Sequence, residues 1–85
     1  MTIREETTER LRSLVAEQLS VGTDEISEAK TFDQLGADSL DRVEIIMKIE
    51  EAFDIEVNDD EAERLTNVGE LIDYVTGLRE RVVAQ

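Results

Sequence analysis

The stretch DSLDRVEIIMKIEEAF, residues 38–53, decides how this chain folds. At about 100° per residue, Ile45, Ile46, Ile49 and Phe53 fall on one side of a helix and make a core stripe. Asp38 is a good N-cap, because a short carboxylate can accept a hydrogen bond from the free amides of a first turn. Leu40, Val43 and Met47 fall on a different side, among Asp41, Glu44, Glu50 and Glu51. A helix with one buried face has no need of that second group. Single exposed apolar residues are common. Three together inside a charged rim have the make-up of a small, transient interface.

Working outward, helical spacing recurs on both sides. Toward the N-terminus, Leu11, Leu14, Val15 and Leu19 form an apolar stripe, with Thr2 and Glu5 as a capping box and Gly22 as a stop. Toward the C-terminus a helix starts near Asn67 with Glu70 in the capping-box position, carrying Leu71, Ile72, Val75, Leu78 and Val82. A short helix is expected around Asp59 to Leu65. No run alternates in the manner of a strand. The fold class is therefore all-α: a small four-helix bundle with three longer helices, a short third one and a long first loop. That loop, Ser20 to Ala37, is long for so small a domain. Ile26, Phe32 and Leu35 are spaced to pin it down, and TDEI from Thr23 can form one helical turn. A connection of this length lets the first two long helices run antiparallel.

The chain has 85 residues, which bounds it to one domain, 1–85. It contains no cysteine and no histidine. Disulfides, thiolate metal sites and Cys–His or Ser–His catalytic pairs are excluded, and no specific metal site is expected. Twenty-two acids against nine bases give a net charge of −13, which rules out binding nucleic acid by neutralising phosphates. Between Asp38 and Glu63 stand eleven acids and two bases, so this segment carries −9 of the total. A field that concentrated steers basic partners. No apolar run approaches the ~20 residues of a membrane span. The opening MTIREETTERLR is charged where an export signal needs an apolar stretch, so a cytoplasmic protein is the expectation; a monomer is expected as well.

Ser39, directly after the N-cap, is the residue left to explain. A second capping role is the plain reading. Nucleophilic catalysis lacks a base, since the neighbours are carboxylates. The positive end of a helix does favour a phosphate, here against the repulsion of Asp38 and Asp41. A serine in that place suits a tether better than a reagent.

The run FDQLGADSLDRVEIIMKIEEAFDIEVNDDEAERLTNVGELIDYV resembles the acyl carrier proteins, and those of the fatty-acid-synthase type. LGADSLD is similar to that family's attachment motif, and EEAFDIEV, DDEAERL and TNVGELIDYV follow at its usual separations, so the likeness spans Ile3 to about Val75. The resemblance implies a four-helix bundle, a covalent 4′-phosphopantetheine on Ser39 and no catalytic residues of the chain's own. A phosphopantetheinyl transferase would install the arm from coenzyme A, and its thiol would carry acyl chains as thioesters. Position by position, it implies that Asp38, Asp41, Glu44, Glu50, Glu51, Asp59 and Glu63 meet basic patches on fatty acid synthesis enzymes. Leu40, Val43 and Met47 would be the apolar contacts on that face. Phe32, Ile46, Ile49, Ala62, Leu65 and Leu71 would line a cavity for the acyl chain, where ordinary core packing serves equally.

Two positions depart from the family's pattern. Arg42 stands where a small hydroxyl residue is usual, and its plain reading is a snorkelling side chain paired to Asp38 at i,i+4. A contact with a phosphate or a polar cargo is the other reading. Asn58 replaces a common proline, which would leave the short helix looser. Other functions remain in play: a carrier for a specialised polyketide, aminoacyl or other acyl pathway, or an acidic adaptor that binds partners without an arm. DIEVNDDEAERL fails as a calcium loop, because Asp59 replaces the required glycine and Leu65 the bidentate glutamate.

Overall fold

The computed structural model describes residues 1–84. Four α-helices follow in order: α1 (Ile3–Leu19), α2 (Ser39–Phe53), α3 (Asp59–Glu63) and α4 (Val68–Ala84), with a 3₁₀ turn at Thr23–Glu25. Pairing between extended segments is limited, among the described residues, to one isolated bridge, Thr31 with Asn67.

The starts of these helices are written in their first residues. Thr2 and Glu5 form the expected box on α1, with Glu5 N–H donating to Thr2 Oγ1 at 3.1 Å and Thr2 N–H to Glu5 Oε1 at 3.1 Å. Ahead of α4, Glu70 N–H donates to Asn67 Oδ1 at 2.8 Å. The Glu70 carboxylate accepts in return from Thr66 Oγ1 at 2.7 Å, Thr66 N–H at 2.8 Å and Asn67 N–H at 3.3 Å. These bonds, the Thr66 hydroxyl foremost, hold the Glu70 carboxyl below its usual range. Its share of stability is therefore present above the unfolded carboxyl pKa of about 4.3 and fades as pH falls through the lower folded value. Glu70→Gln should accordingly melt lower at neutral pH and lose stability less steeply on acidification, as thermal melts across pH 3 to 7 (a range of roughly four units around that pKa) would read.

The stops differ from expectation at α1. Gly22 does not end it. Ser20 does, in the left-handed region at φ 56°, with Val21 N–H returning to Ala16 O at 3.0 Å. A serine pays about 1–2 kcal/mol for that conformation, which the closing bonds outweigh.

The core is one cluster in which Leu11, Val15, Ile26, Ile45, Ile49, Val68, Ile72 and Val75 are almost wholly withdrawn from water. Each such side chain contributes roughly 1.5–3 kcal/mol on burial. Leu14, Leu19, Ile46, Phe53 and Leu78 lie at its margin, half-buried. Val82, expected on the α4 stripe, is exposed. Phe53, packed against the core on one side, is also flanked by two cations, with Arg10 at 4.4 Å and Arg79 at 4.7 Å from its ring centre. Arg79 also bonds Thr7 Oγ1 at 2.8 Å and Glu6 at 2.6 Å, tying α4 to α1 and keeping the Glu6 carboxyl below its ordinary range.

Helices α1 and α2 run antiparallel: Gln18 near the end of α1 reaches Asp41 and Glu44 at the start of α2, while Arg10 donates to Ala52 O at 2.8 Å at its far end. The long connection is pinned, as Ile26 and Phe32 suggested. Arg12 donates to Ile26 O and Thr23 O, both at 2.7 Å. The first free amides of α4 are satisfied by the same loop, Val68 N–H on Lys30 O at 3.0 Å and Gly69 N–H on Glu28 O at 2.9 Å. A Cβ at Gly69 would lie 3.1 Å from Glu28 O, so a larger residue there would need the loop to give by a few tenths of an ångström. The α4 start and the loop thus support each other.

Candidate functional site

A one-turn segment before α2 aims Ser39. Thr31 and Gln34 cap one another, through Gln34 N–H on Thr31 Oγ1 at 3.1 Å and Thr31 N–H on Gln34 Oε1 at 3.0 Å. The turn closes at Gly36, φ 77°, with Ala37 N–H on Phe32 O at 3.0 Å and Gly36 N–H on Asp33 O at 3.1 Å. That pair of bonds is a Schellman closure with glycine at its left-handed residue, and Phe32 and Ala37 are buried beneath it. Neither the capped turn nor its closure was anticipated; Thr31 and Gln34 three apart, followed by glycine, were the available signal.

Asp38 follows in extended conformation and caps α2 as expected. Its Oδ1 accepts from Asp41 N–H at 2.8 Å, and Asp38 N–H donates to Asp41 Oδ2 at 3.3 Å, so Asp41 completes a box. Ser39 therefore has no capping duty. It stands exposed in the first turn of a 15-residue helix, where backbone amides favour an anion on its hydroxyl and two carboxylates oppose it.

Down the outer side of α2, Leu40, Val43 and Met47 are 65%, 56% and 55% exposed, which is the second apolar group that periodicity separated from the core. Asp38, Glu51, Asp59 and Glu63 are exposed around them, while Asp41, Glu44 and Glu50 are half-buried. The half-buried ones have internal work: Gln18 Nε2 donates to both Asp41 and Glu44, and Glu50 accepts Val57 N–H at 3.1 Å. Gln18 is a member of this surface that sequence reading missed. No acid of α2 or α3 forms an ion pair among the described residues. The pairs that do form involve Arg4, Arg10 and Arg79 with Glu6, Glu28 and Asp73. Those three arginines are engaged elsewhere, and the carboxylates of α2 and α3 keep their field.

Beneath this surface, between α2 and α3, opens a cavity of about 270 Å³. Phe32, Ile46, Ala62, Leu65 and Leu71 line it, together with Val43, Ile45 and Met47. Ile49, expected there, is instead wholly buried in the core and does not reach it. Arg42 is a second correction. It forms no ion pair with Asp38. Its Nη2 donates to Leu65 O at 2.8 Å, and its guanidinium lies 5.1 Å from the Phe32 ring centre, on the cavity wall. The carbonyl of Leu65, beyond the end of a five-residue helix, lacks a helical partner and gives the guanidinium a reason to cross. At the other end Asn58 caps α3, accepting Glu61 N–H at 3.0 Å and donating its own N–H to Tyr74 Oη at 3.2 Å. The short helix is held at both ends rather than loosened.

A family model described as the phosphopantetheine attachment site matches residues 9–75. The chain belongs to that family. Among solved structures, the acyl carrier protein from Thermotoga maritima is 26% identical, with 96% of each chain covered and a TM-score of 0.82. The acyl carrier protein from Enterococcus faecalis is 28% identical over 92% of this chain and 99% of that one, with a TM-score of 0.75. The helical architecture is thus that of an acyl carrier domain, and the phosphopantetheine attachment family implies a covalent 4′-phosphopantetheine. The residues fit such a group, since an exposed hydroxyl free of capping bonds stands on the first turn of α2. Among the described residues, no helix is long and apolar enough to cross a membrane.

Proposed function

We propose that residues 1–85 are one carrier domain, working as a cytoplasmic monomer, that holds acyl chains on an arm at Ser39 and presents them to the enzymes of fatty acid synthesis. The observation that carries this is the freed hydroxyl of Ser39: Asp38 and Asp41 cap the helix between them, so the serine is available. When bound, the arm supplies a thiol that the chain lacks and carries acyl groups as thioesters. The chain's own share is to hold the anchor on a rigid helix, offer a surface to visiting enzymes and shelter the cargo. It is not itself a catalyst in this reading, because nothing beside Ser39 can take its proton at neutral pH. The DSLD form of the attachment motif and the dense acids support the fatty-acid type.

Incubation with coenzyme A and a phosphopantetheinyl transferase should add one arm by intact mass; a protein that stays bare would sink the carrier reading. On the partner side, Asp38, Leu40, Asp41, Val43, Glu44, Met47, Glu50, Glu51, Asp59 and Glu63 form the docking surface, apolar at its centre and anionic at its rim. Glu51→Lys should weaken binding to a basic synthase enzyme by about three- to tenfold at low salt, mostly through a slower on-rate. The difference should vanish toward about 1 M salt, where the screening length falls to about 3 Å. Its melting temperature should stay put, whereas Glu50→Lys also frees Val57 N–H and should melt lower.

A further inference from the structure

We propose that Arg42 makes the α2–α3 cavity selective for acyl chains bearing a neutral oxygen acceptor, such as a ketone, over fully saturated chains. This rests on the carrier reading, because it concerns the cargo and not the anchor. Most of the cavity wall is carbon, from Phe32, Val43, Ile46, Ala62, Leu65 and Leu71. Into it Arg42 brings a guanidinium with five N–H donors. One donor is used, Nη2 on Leu65 O at 2.8 Å, and the Phe32 ring holds the group in place from 5.1 Å. Among the described residues no carboxylate pairs with it and no second acceptor meets it.

A methylene chain laid against this wall covers those donors and returns nothing. Burying a donor without a partner is penalised more heavily than forming the bond is rewarded. A ketone oxygen supplies the missing acceptor. The same asymmetry lets sites built around polar groups reject analogues that lack the matching atom. The charge of the guest follows from the rest of the lining: Glu50, Asp59 and Glu63 also border the cavity. A carboxylate-tipped chain would meet three like charges for one cation, whereas a neutral carbonyl keeps the attraction without that repulsion. Size points the same way. About 270 Å³ lies just under the ~300 Å³ at which small-ligand pockets usually begin, so the chain is short and one oxygen is a large part of what it presents. The guanidinium reaches across to α3, not back along α2 to Asp38, which favours cargo over the arm's phosphate as its partner.

The protein is loaded by a phosphopantetheinyl transferase with octanoyl, 3-oxooctanoyl and 5-oxooctanoyl arms from the matching coenzyme A derivatives. Exchange of each thioester with excess 2-mercaptoethanol, which transfers the acyl group and frees the pantetheine thiol, is then timed and normalised to the same thioester on free pantetheine. At least one oxo chain should be sheltered about tenfold better than octanoyl, a factor equal to about 1.4 kcal/mol. In Arg42→Met that preference should disappear, with octanoyl better sheltered than before. A measurement on the unaltered protein guards against a variant that fails to fold: the Arg42 Nε–H resonance should move with an oxo chain and stay still with octanoyl. Equal shelter of all three chains, a preference retained in Arg42→Met, or a resonance indifferent to the cargo would overturn the proposal. Failure to load any arm would instead overturn the carrier reading, and this inference with it.

Discussion

Ser39→Ala is expected to give a protein that folds as before and accepts no arm at all. The fold survives because the cap of α2 does not pass through the serine: Asp38 and Asp41 satisfy each other's amides on either side of it. Ser39 is exposed and buries nothing, and alanine is at least as good a helix former, so stability should change by no more than about 0.5 kcal/mol. Loss of the arm is complete because no other hydroxyl combines exposure with the first turn of α2. Thr7 and Thr8 turn inward onto the α1 backbone, and Thr66 is engaged with Glu70. Intact-mass measurement after incubation with coenzyme A and a transferase, beside a thermal melt, separates the two effects. Modification of the alanine variant would place the anchor elsewhere.

The second large effect is Ile49→Ala. Ile49 is wholly buried in the core, not on the cavity, so truncation should cost about 2–5 kcal/mol. A domain this small has little stability to lose, on the order of 5 kcal/mol, and each kcal/mol moves its melting temperature by roughly 4–8 °C. The variant should melt roughly 8–40 °C lower or not fold. Ile46→Ala, half-buried on the cavity wall, should cost distinctly less because its methyls already face a void. Equal losses at the two sites would mean that core and cavity are one space.

That pair shows where sequence reading stopped. The periodicity of α2 separated Leu40, Val43 and Met47 from the core and was right to do so, since all three are more than half exposed. It grouped Ile46, Ile49 and Phe53 as equals. They share a side of one helix, but what stands opposite each differs: a cavity, the core, and two arginines from other helices. Arg42 fails in the same way. Its i,i+4 spacing suggested Asp38 as partner, but the acceptor it found is a carbonyl 23 residues on, left open by the end of α3. The acids were readable as a block, though not that Arg4, Arg10 and Arg79 would be occupied elsewhere and leave them unpaired.

By itself the sequence determined whatever is settled within about four residues: the caps at Thr2, Asp38 and Asn67, the all-helical class, and the exposed serine one step past a cap. These depend on hydrogen bonds and side-chain spacings that close inside a single turn, so neighbouring letters suffice. Only the tertiary structure decided that Ser20 would end α1, that Ile49 would lie in the core while Ile46 borders the cavity, and that Arg42 would cross to α3. Those outcomes turn on which unsatisfied carbonyl, ring or void is brought alongside from a distant segment, and on competition among many partners of similar strength. Spacing along the chain carries no record of that competition.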